Sequence, residues 1–290
     1  MIIRWPDEAW ASGNRCMTEI GFLIDMDGVI YRGDSMIPGA GEFMDSIRDL
    51  PYLFVTNNSS VTPEMVLQKL QSIGIVHSRK EHVLTSALAT AEYLESIKPG
   101  FSFYAVGGPG LHKALEEKGR EDTENPDFVV VGEGEGLNYG SLTKGINFLL
   151  RGNARLIGTN PDLTLDGTLD GKPAIIPGGG VLMAPFQAAT GIKPIYIGKP
   201  GPEIFRQALK RLGKDASSLF MIGDRPDTDI LGAVETGIRT ILVCTGRYSC
   251  SDPYPPDIPK PDMVVDSIAG VNVSELMKIL SIQVEPKLSD

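Results

Sequence analysis

The strand-forming stretches of this chain are short and apolar on both faces. "YLFVT" (52–56), "DFVVVG" (127–132), "LFMIG" (219–223) and "TILVC" (240–244) lack the in-and-out alternation of a half-exposed sheet. A strand buried on both sides needs helices above and below it, which a parallel sheet with helical crossovers provides. The segments between these runs read as helices. Residues 38–50 are expected to be helical, and Thr62-Pro63-Glu64 supplies an N-cap, a proline at the first helical position and an acid in the first turn. Gly74 would close that helix. The alternation predicts a doubly wound α/β fold, a parallel Rossmann-like sheet covered on both faces.

A length of 290 residues allows one large domain or two ordinary ones. Residues 84–178 carry units of their own: "SALATAEYLESI", "LHKALEEKG" and "SLTKGINFLL" as helices, "FSFYAV", "DFVVVG" and "ARLIGT" as strands. The glycine- and proline-rich "LDGKPAIIPGGG" leads out of this block. The expectation is a core formed by 1–83 and 179–290, with a smaller α/β domain, 84–178, inserted and able to stand alone. "DPYPPDIPKP" (252–261) reads as a rigid, exposed loop.

Composition narrows the partners. Hydrophobic content of 42% and charged content of 22% are those of a globular chain. A net charge of −10 argues against nucleic acid and membrane surfaces, which want basic protein, but leaves room for a small anion held locally. No apolar run has the length of a membrane span, and the first twenty residues lack the apolar core of a signal peptide. Cys16, Cys244 and Cys250 are odd in number and not at metal spacing, which fits a reducing compartment better than a disulfide framework. The expected location is the cytoplasm. Trp5 and Trp10 would anchor the N-terminal arm on the body or on a second subunit; His77, His82 and His112 lie outside every motif.

Ligands of open α/β sheets bind beyond the carboxyl ends of the strands. There "GFLIDMDGVIYRG" places Asp25 and Asp27, "LFVT" places Thr56 ahead of Asn57 and Asn58, and "FMIGDRPDTDI" places Asp224. Lys199 in "YIGKPGPEIF" follows another strand-like run. Singly, each has a plain reading: an Asx turn, a turn asparagine, a helix N-cap, an exposed loop lysine. Together they form an oxygen-only acidic site with a hydroxyl and a cation, the preference of a hard ion such as Mg2+. Such an ion would turn the repulsion between neighbouring acids into attraction. Two carboxylates in different environments can then divide into nucleophile and proton donor, Asp25 and Asp27. "GKP" is no P-loop, since Lys193 stands where the earlier glycine belongs.

In order, "DMDGVIYRG", "FVTNN", "GKPGPEIF" and "GDRPDTDI" resemble the four motifs of haloacid-dehalogenase-type phosphatases, in the branch of NagD and the p-nitrophenyl phosphatase-like enzymes. "VLTSALATAEYL", "NPDFVVVGE", "GTNPD" and "IPGGGVLMA" are similar to that branch's inserted cap, so the likeness covers most of the chain, from about residue 20 to 273. The resemblance implies a Mg2+-dependent phosphatase working through an aspartyl-phosphate. Asp25 would be nucleophile and metal ligand, and Asp27 general acid/base with a place at the metal. Thr56, Asn57 and Asn58 would bind phosphate, and Lys199 would brace phosphate and nucleophile. Asp224 would ligate the metal with Asp229 behind it, and Asn160 and Asp162 of the cap would face the substrate. The chain departs from some relatives in lacking a histidine after "NPD", where Leu163, Thr164 and Leu165 follow. The implied partner is a small phosphorylated metabolite (a nucleotide, sugar or glycerol phosphate); the sequence leaves the oligomeric state open, and an exposed cap could mediate a homodimer. Rival readings are phosphoryl transfer to another acceptor and a response-regulator-like phospho-switch that uses the same acidic Mg2+ site without turnover.

Overall fold

The computed structural model describes residues 20–284. The chain begins with β1 (Gly21–Ile24), a ribbon of β2 (Tyr31–Arg32) and β3 (Ser35–Met36), α1 (Ala40–Ser46), β4 (Tyr52–Thr56), α2 (Pro63–Ser72) and β5 (Val83–Thr85). It continues through α3 (Ser86–Ile97), β6 (Ser102–Val106), α4 (Pro109–Glu116), β7 (Arg120–Glu121), β8 (Phe128–Val131), α5 (Tyr139–Leu150) and β9 (Arg155–Gly158). A hairpin of β10 (Thr164–Leu169) and β11 (Lys172–Pro177) precedes α6 (Gly179–Thr190), β12 (Ile195–Tyr196) and α7 (Pro202–Leu212). The last elements are β13 (Leu219–Gly223), α8 (Leu231–Glu235), β14 (Arg239–Val243), β15 (Met263–Val265) and α9 (Val273–Val284).

Besides the two two-stranded ribbons, two larger sheets result, each parallel throughout. The first runs β15-β14-β13-β1-β4-β5 and the second β12-β9-β8-β6-β7. This is the doubly wound α/β architecture that the two-sided apolar runs require. The alternation of side chains along each strand divides the core. Phe22, Ile24, Phe54 and Ile222 face one apolar layer with α1, α2 and α9. Their neighbours Leu23, Leu53, Val55 and Met221 face another. That second layer also holds Phe103, Phe128 and Val130 from the second sheet, joined through α3, α4 and α7. The other face of the second sheet, with Tyr104, Val129 and Val131, closes on α5 and α6.

The inserted block was expected to stand alone and to end at residue 178. Instead, its inner face shares an apolar layer with the first sheet, and its sheet recruits β12 beyond that limit. "LDGKPAIIPGGG", read as an exit linker, forms β11 of the hairpin and the start of α6. Its Pro173 and Pro177 are tolerated because the ribbon has only two strands, leaving each an open edge. The expected helix over 38–50 is shorter, Ala40–Ser46, with Gly39 at φ 87° before it. The Thr62 cap forms as read, its hydroxyl accepting from the Met65 amide.

Cys244 and Cys250 are joined by a disulfide with their Cα atoms 5.3 Å apart, contrary to the expectation of unpaired thiols. The turn after β14 brings the two ends of a short loop together, which the spacing alone did not signal. Cys16, Trp5 and Trp10 lie outside the described residues. Among the described residues no helix is long and apolar enough to cross a membrane.

The junction between the layers is tight at Gly110, in the first turn of α4. A Cβ there would stand 2.4 Å from the carbonyl oxygen of Val61, and 2.7 Å from its nitrogen. Backbone cannot swing aside as a side-chain tip does. Gly110→Ala should therefore lower unfolding stability by about 1–3 kcal/mol, read from urea denaturation; an unchanged midpoint would show that the junction yields freely.

Candidate active site

The order of the first sheet reverses between β1 and β13: the chain steps one way to β4 and β5, and the other way to β14 and β15. A crevice opens at such a switch point, beyond the carboxyl ends of the strands. Asp25, Thr56 and Asp224 leave three adjacent strands on this edge. The Asp25 amide still donates to the Ile222 carbonyl at 2.9 Å, so its side chain departs from a fixed point.

Lys199 occupies the centre, 3% exposed. Its Nζ donates to Asp25 Oδ1 at 2.7 Å, to Asp229 Oδ1 at 2.7 Å and to the Val55 carbonyl at 3.0 Å. An ammonium has three donors, and all three are engaged. Burial works against the charge on Lys199, but Asp229 and Asp25 outweigh it and hold the proton on. Asn57 sets the lysine from behind: its Oδ1 accepts from the Lys199 amide at 2.7 Å, and its Nδ2 donates to the Lys199 carbonyl at 2.9 Å. The same Nδ2 donates to Asp162 Oδ2 at 2.7 Å, so the Asn57 side chain is fully committed. Only the backbone of Asn57 is left to meet a phosphate.

Oxygens of Asp25, Asp224 and Asp229 lie within 4.8 Å of one another. Burial, then the charges of Asp25 and Asp229, push the Asp224 carboxyl up to about 8. Burial likewise raises Asp25, against the pull of Lys199, and raises Asp229 to about 6. This crowding is what a divalent cation would relieve, and the all-oxygen donor set suits Mg2+. Asp229 has Lys199 on Oδ1 and the Arg225 amide on Oδ2 at 3.1 Å, so it braces the cluster from inside. Asp224 Oδ2 accepts from the Arg247 amide at 2.6 Å. Gly28, at φ 81°, lets the chain pass this carboxylate; a Cβ there would stand 2.7 Å from Asp224 Oδ2.

Asp27 stands apart from these three. It opens on the crevice, where the Tyr31 hydroxyl donates to Oδ2 at 3.3 Å. The walls around it still strip enough water to raise its pKa, with Lys69 the main opposing charge. Thr56 Oγ1 accepts from the Asn58 amide at 3.1 Å, which leaves its own hydrogen for a ligand. Asn58 Oδ1 accepts from the Ser60 amide and hydroxyl, so that side-chain oxygen shapes a turn.

Asn160 and Asp162 were expected to face substrate. Both are turned inward, 0% and 4% exposed. Asn160 Nδ2 bridges the Asn57 carbonyl and Glu133 Oε1, and Asp162 bridges Asn57 and Arg225 Nη1 at 2.6 Å. They brace the core loops. Arg225 also grips Asp227 through Nε and Nη2, and neither Arg225 nor Tyr31 stood out in the sequence. The signal for Glu133 was present: like Asp224, it follows an apolar strand and a glycine.

Residues 22–121 match the model of the haloacid dehalogenase-like hydrolases, and residues 196–271 match a second model, HAD-hydrolase-like. An acid sugar phosphatase of Staphylococcus aureus is 40% identical over 245 residues, covering 82% of this chain and 91% of that protein. A solved double mutant of a thermostable NPPase from Geobacillus stearothermophilus matches with a TM-score of 0.80 at 36% identity, over 89% of this chain and 99% of its own. NagD from E. coli K-12 matches with a TM-score of 0.79 at 33% identity, over 88% of this chain and 99% of its own.

Replacing Lys199 by Met keeps the bulk but leaves Asp25 and Asp229 facing each other without a cation. Removing one partner of a buried ion pair costs about 3–5 kcal/mol. Lys199→Met should lose stability on that scale at pH 8, measured by chemical denaturation, and regain part of it at pH 5, where a carboxyl can protonate. An equal loss at both values would refute this account.

Proposed function

Since the chain belongs to the haloacid dehalogenase-like hydrolases, in the branch of NagD and the p-nitrophenyl phosphatases, and is a phosphatase, we propose that it hydrolyses small phosphate monoesters through an aspartyl-phosphate on Asp25. The observation that carries this reading is the Lys199 ammonium, 2.7 Å from both Asp25 and Asp229 at the switch point of the sheet. Lys199 holds Oδ1 of Asp25, which leaves Oδ2 as the attacking atom. The bond from Oδ2 to phosphorus forms as the ester bond breaks, and Asp27 gives its proton to the leaving oxygen. Asp27 then takes a proton from water as the water oxygen attacks phosphorus, releasing inorganic phosphate and restoring both acids.

The raised pKa of Asp27 and its place on the crevice suit a donor, while at Asp25 the Lys199 ammonium favours the anion against the burial that raises its pKa. The Thr56 hydroxyl and the backbone amides near Asn57 and Asn58 would hold phosphoryl oxygens. Asp25 and Asp224, with the main chain at Asp27, would hold Mg2+, and Asp229 would support them from behind. When bound, the ion would offset charge on the phosphoryl oxygens. Because its three donors are engaged, Lys199 acts on the nucleophile and not directly on phosphate. The residues from β6 to α6 would form the cap, which reaches the crevice at Arg247 Nη2 and the Thr164 carbonyl, 3.1 Å apart. A relative named an acid sugar phosphatase favours sugar phosphates within the broader class of nucleotide, sugar and glycerol phosphates.

Asp25→Asn should lower kcat on p-nitrophenyl phosphate by roughly a thousandfold or more, with the melting transition intact. Turnover near the wild-type rate would rule out Asp25 as nucleophile. Chelation should abolish phosphate release and Mg2+ should restore it; full activity of the metal-stripped enzyme would remove the ion from the mechanism.

A further inference from the structure

Glu133 follows β8 and Gly132, outside the reaction centre, and is 2% exposed. Its Oε1 accepts from Asn160 Nδ2 at 2.6 Å, and that nitrogen also donates to the Asn57 carbonyl at 2.7 Å. Its own amide donates to Ser59 Oγ at 2.8 Å, and Ser59 Oγ meets Thr159 Oγ1 at 3.0 Å. Its carbonyl accepts from the Gly108 amide at 2.7 Å. Three loops, after β4, β6 and β9, therefore converge on one residue. Among the described residues, Glu133 Oε2 is a buried side-chain oxygen with no hydrogen-bond partner. A buried carboxylate held by so little is costly, and such a position favours the protonated acid.

We infer that Glu133 is a positioning residue for the phosphatase reaction: it fixes the Asn160 amide, Asn160 holds the main chain at Asn57, and Asn57 brackets Lys199 against Asp25. The inference rests on the roles given above to Asp25 and Lys199. Each link is a hydrogen bond of 2.6 to 2.9 Å between buried partners. Loss of the first link frees the Asn160 amide to turn. The Asn57 carbonyl then keeps only the Ser86 hydroxyl as donor, and the frame around the lysine that orients the nucleophile loosens.

The charge state of Glu133 makes this chain of contacts readable. Burial raises its pKa to about 8, with Asp162 and Asp27 adding to the effect and the Asn160 and Ser59 amides opposing it. Asp162 is itself paired with Arg225, at 2.6 Å. The loops after β4 and β6 present Asn57, Ser59, Gly107 and Gly108 there, and its own segment adds only the exposed Glu135. At neutral pH the group is a neutral acid, with Oε1 as acceptor and a hydroxyl at Oε2. Above its pKa an unpaired anion forms beside Asp162, on the loop that bears the contacts, and the network loosens.

The test compares kcat and KM against pH for the full chain, Glu133→Gln and Glu133→Ala, with p-nitrophenyl phosphate and saturating Mg2+. The amide of Gln keeps the acceptor for Asn160 and cannot ionise. Wild-type kcat should fall as the pH rises through about 8, and Glu133→Gln should keep near-normal kcat below pH 7 with its alkaline limb reduced to the part that loss of the Asp27 proton sets. Glu133→Ala should lose about ten- to a hundredfold in kcat with KM little changed, and Gln at the same position should rescue it. An alkaline limb shared unchanged by wild type and Glu133→Gln overturns the inference, as does an Ala variant with normal kcat. Both comparisons are between the wild type and variants at one position, so they fail independently of the Asp25→Asn result.

Discussion

A buried ammonium with all three hydrogen atoms engaged organises this structure. Withdrawing one ion from water costs several kcal/mol even after the surroundings relax, and here Lys199, Asp25 and Asp229 are all withdrawn. The arrangement holds because the one ammonium is shared between both carboxylates and each of its three hydrogens finds an acceptor. It therefore demands accuracy from every element that contributes to it. β1 supplies Asp25, the turn after β13 supplies Asp229, the loop before α7 supplies Lys199, and β4 supplies the Val55 carbonyl. An error of an ångström in any of them would leave an unpaired charge in the core.

That accuracy comes from how the two sheets share their packing. Each core strand sends alternate residues to opposite layers, and the layer under Leu53, Val55 and Met221 is the one that also receives Phe103 and Val130. The second sheet is thereby pressed against the helices that carry the first. Its loops reach the reaction centre as rigid parts: Asn160 and Asp162 touch Asn57, and Asp162 touches Arg225. The acids of the site come from the first sheet, and its lysine follows β12 of the second, whose loops also buttress it.

Much of this was legible in the sequence. A short apolar run ending in a polar residue marks a strand end in a parallel sheet, and four such ends in order were enough to group Asp25, Thr56, Lys199 and Asp224. What the sequence could not carry was the direction of side chains whose partners lie far along the chain. Asn160 and Asp162 sit in a polar turn that looks made for a ligand, yet their partners, Asn57, Glu133 and Arg225, exist only in the folded chain. The linker that became a hairpin shows the same limit, since proline and glycine mark a break in helix without saying whether two flanking segments will pair. The disulfide is a case of turn geometry: a separation of six positions between cysteines can hold them apart or together, and only the loop after β14 decides.

The loop closed by that disulfide holds Asp224 in an unusual way. The donor to its Oδ2 is the main-chain amide of Arg247, and the space around the carboxylate is kept by Gly28 and Gly246, where added side chains would collide with it. A contact made by the main chain is indifferent to the side chain attached at that position. For the contact with Asp224, position 247 can vary, with proline the exception because it lacks the amide hydrogen, although a change there gives up the Arg247 side chain's contacts with Thr164 and Asp166; the two glycines cannot vary. Random substitution across this loop would leave the grip on Asp224 intact with most residues at 247 and break it with any side chain at 246, where the glycine itself makes no hydrogen bond to the carboxylate.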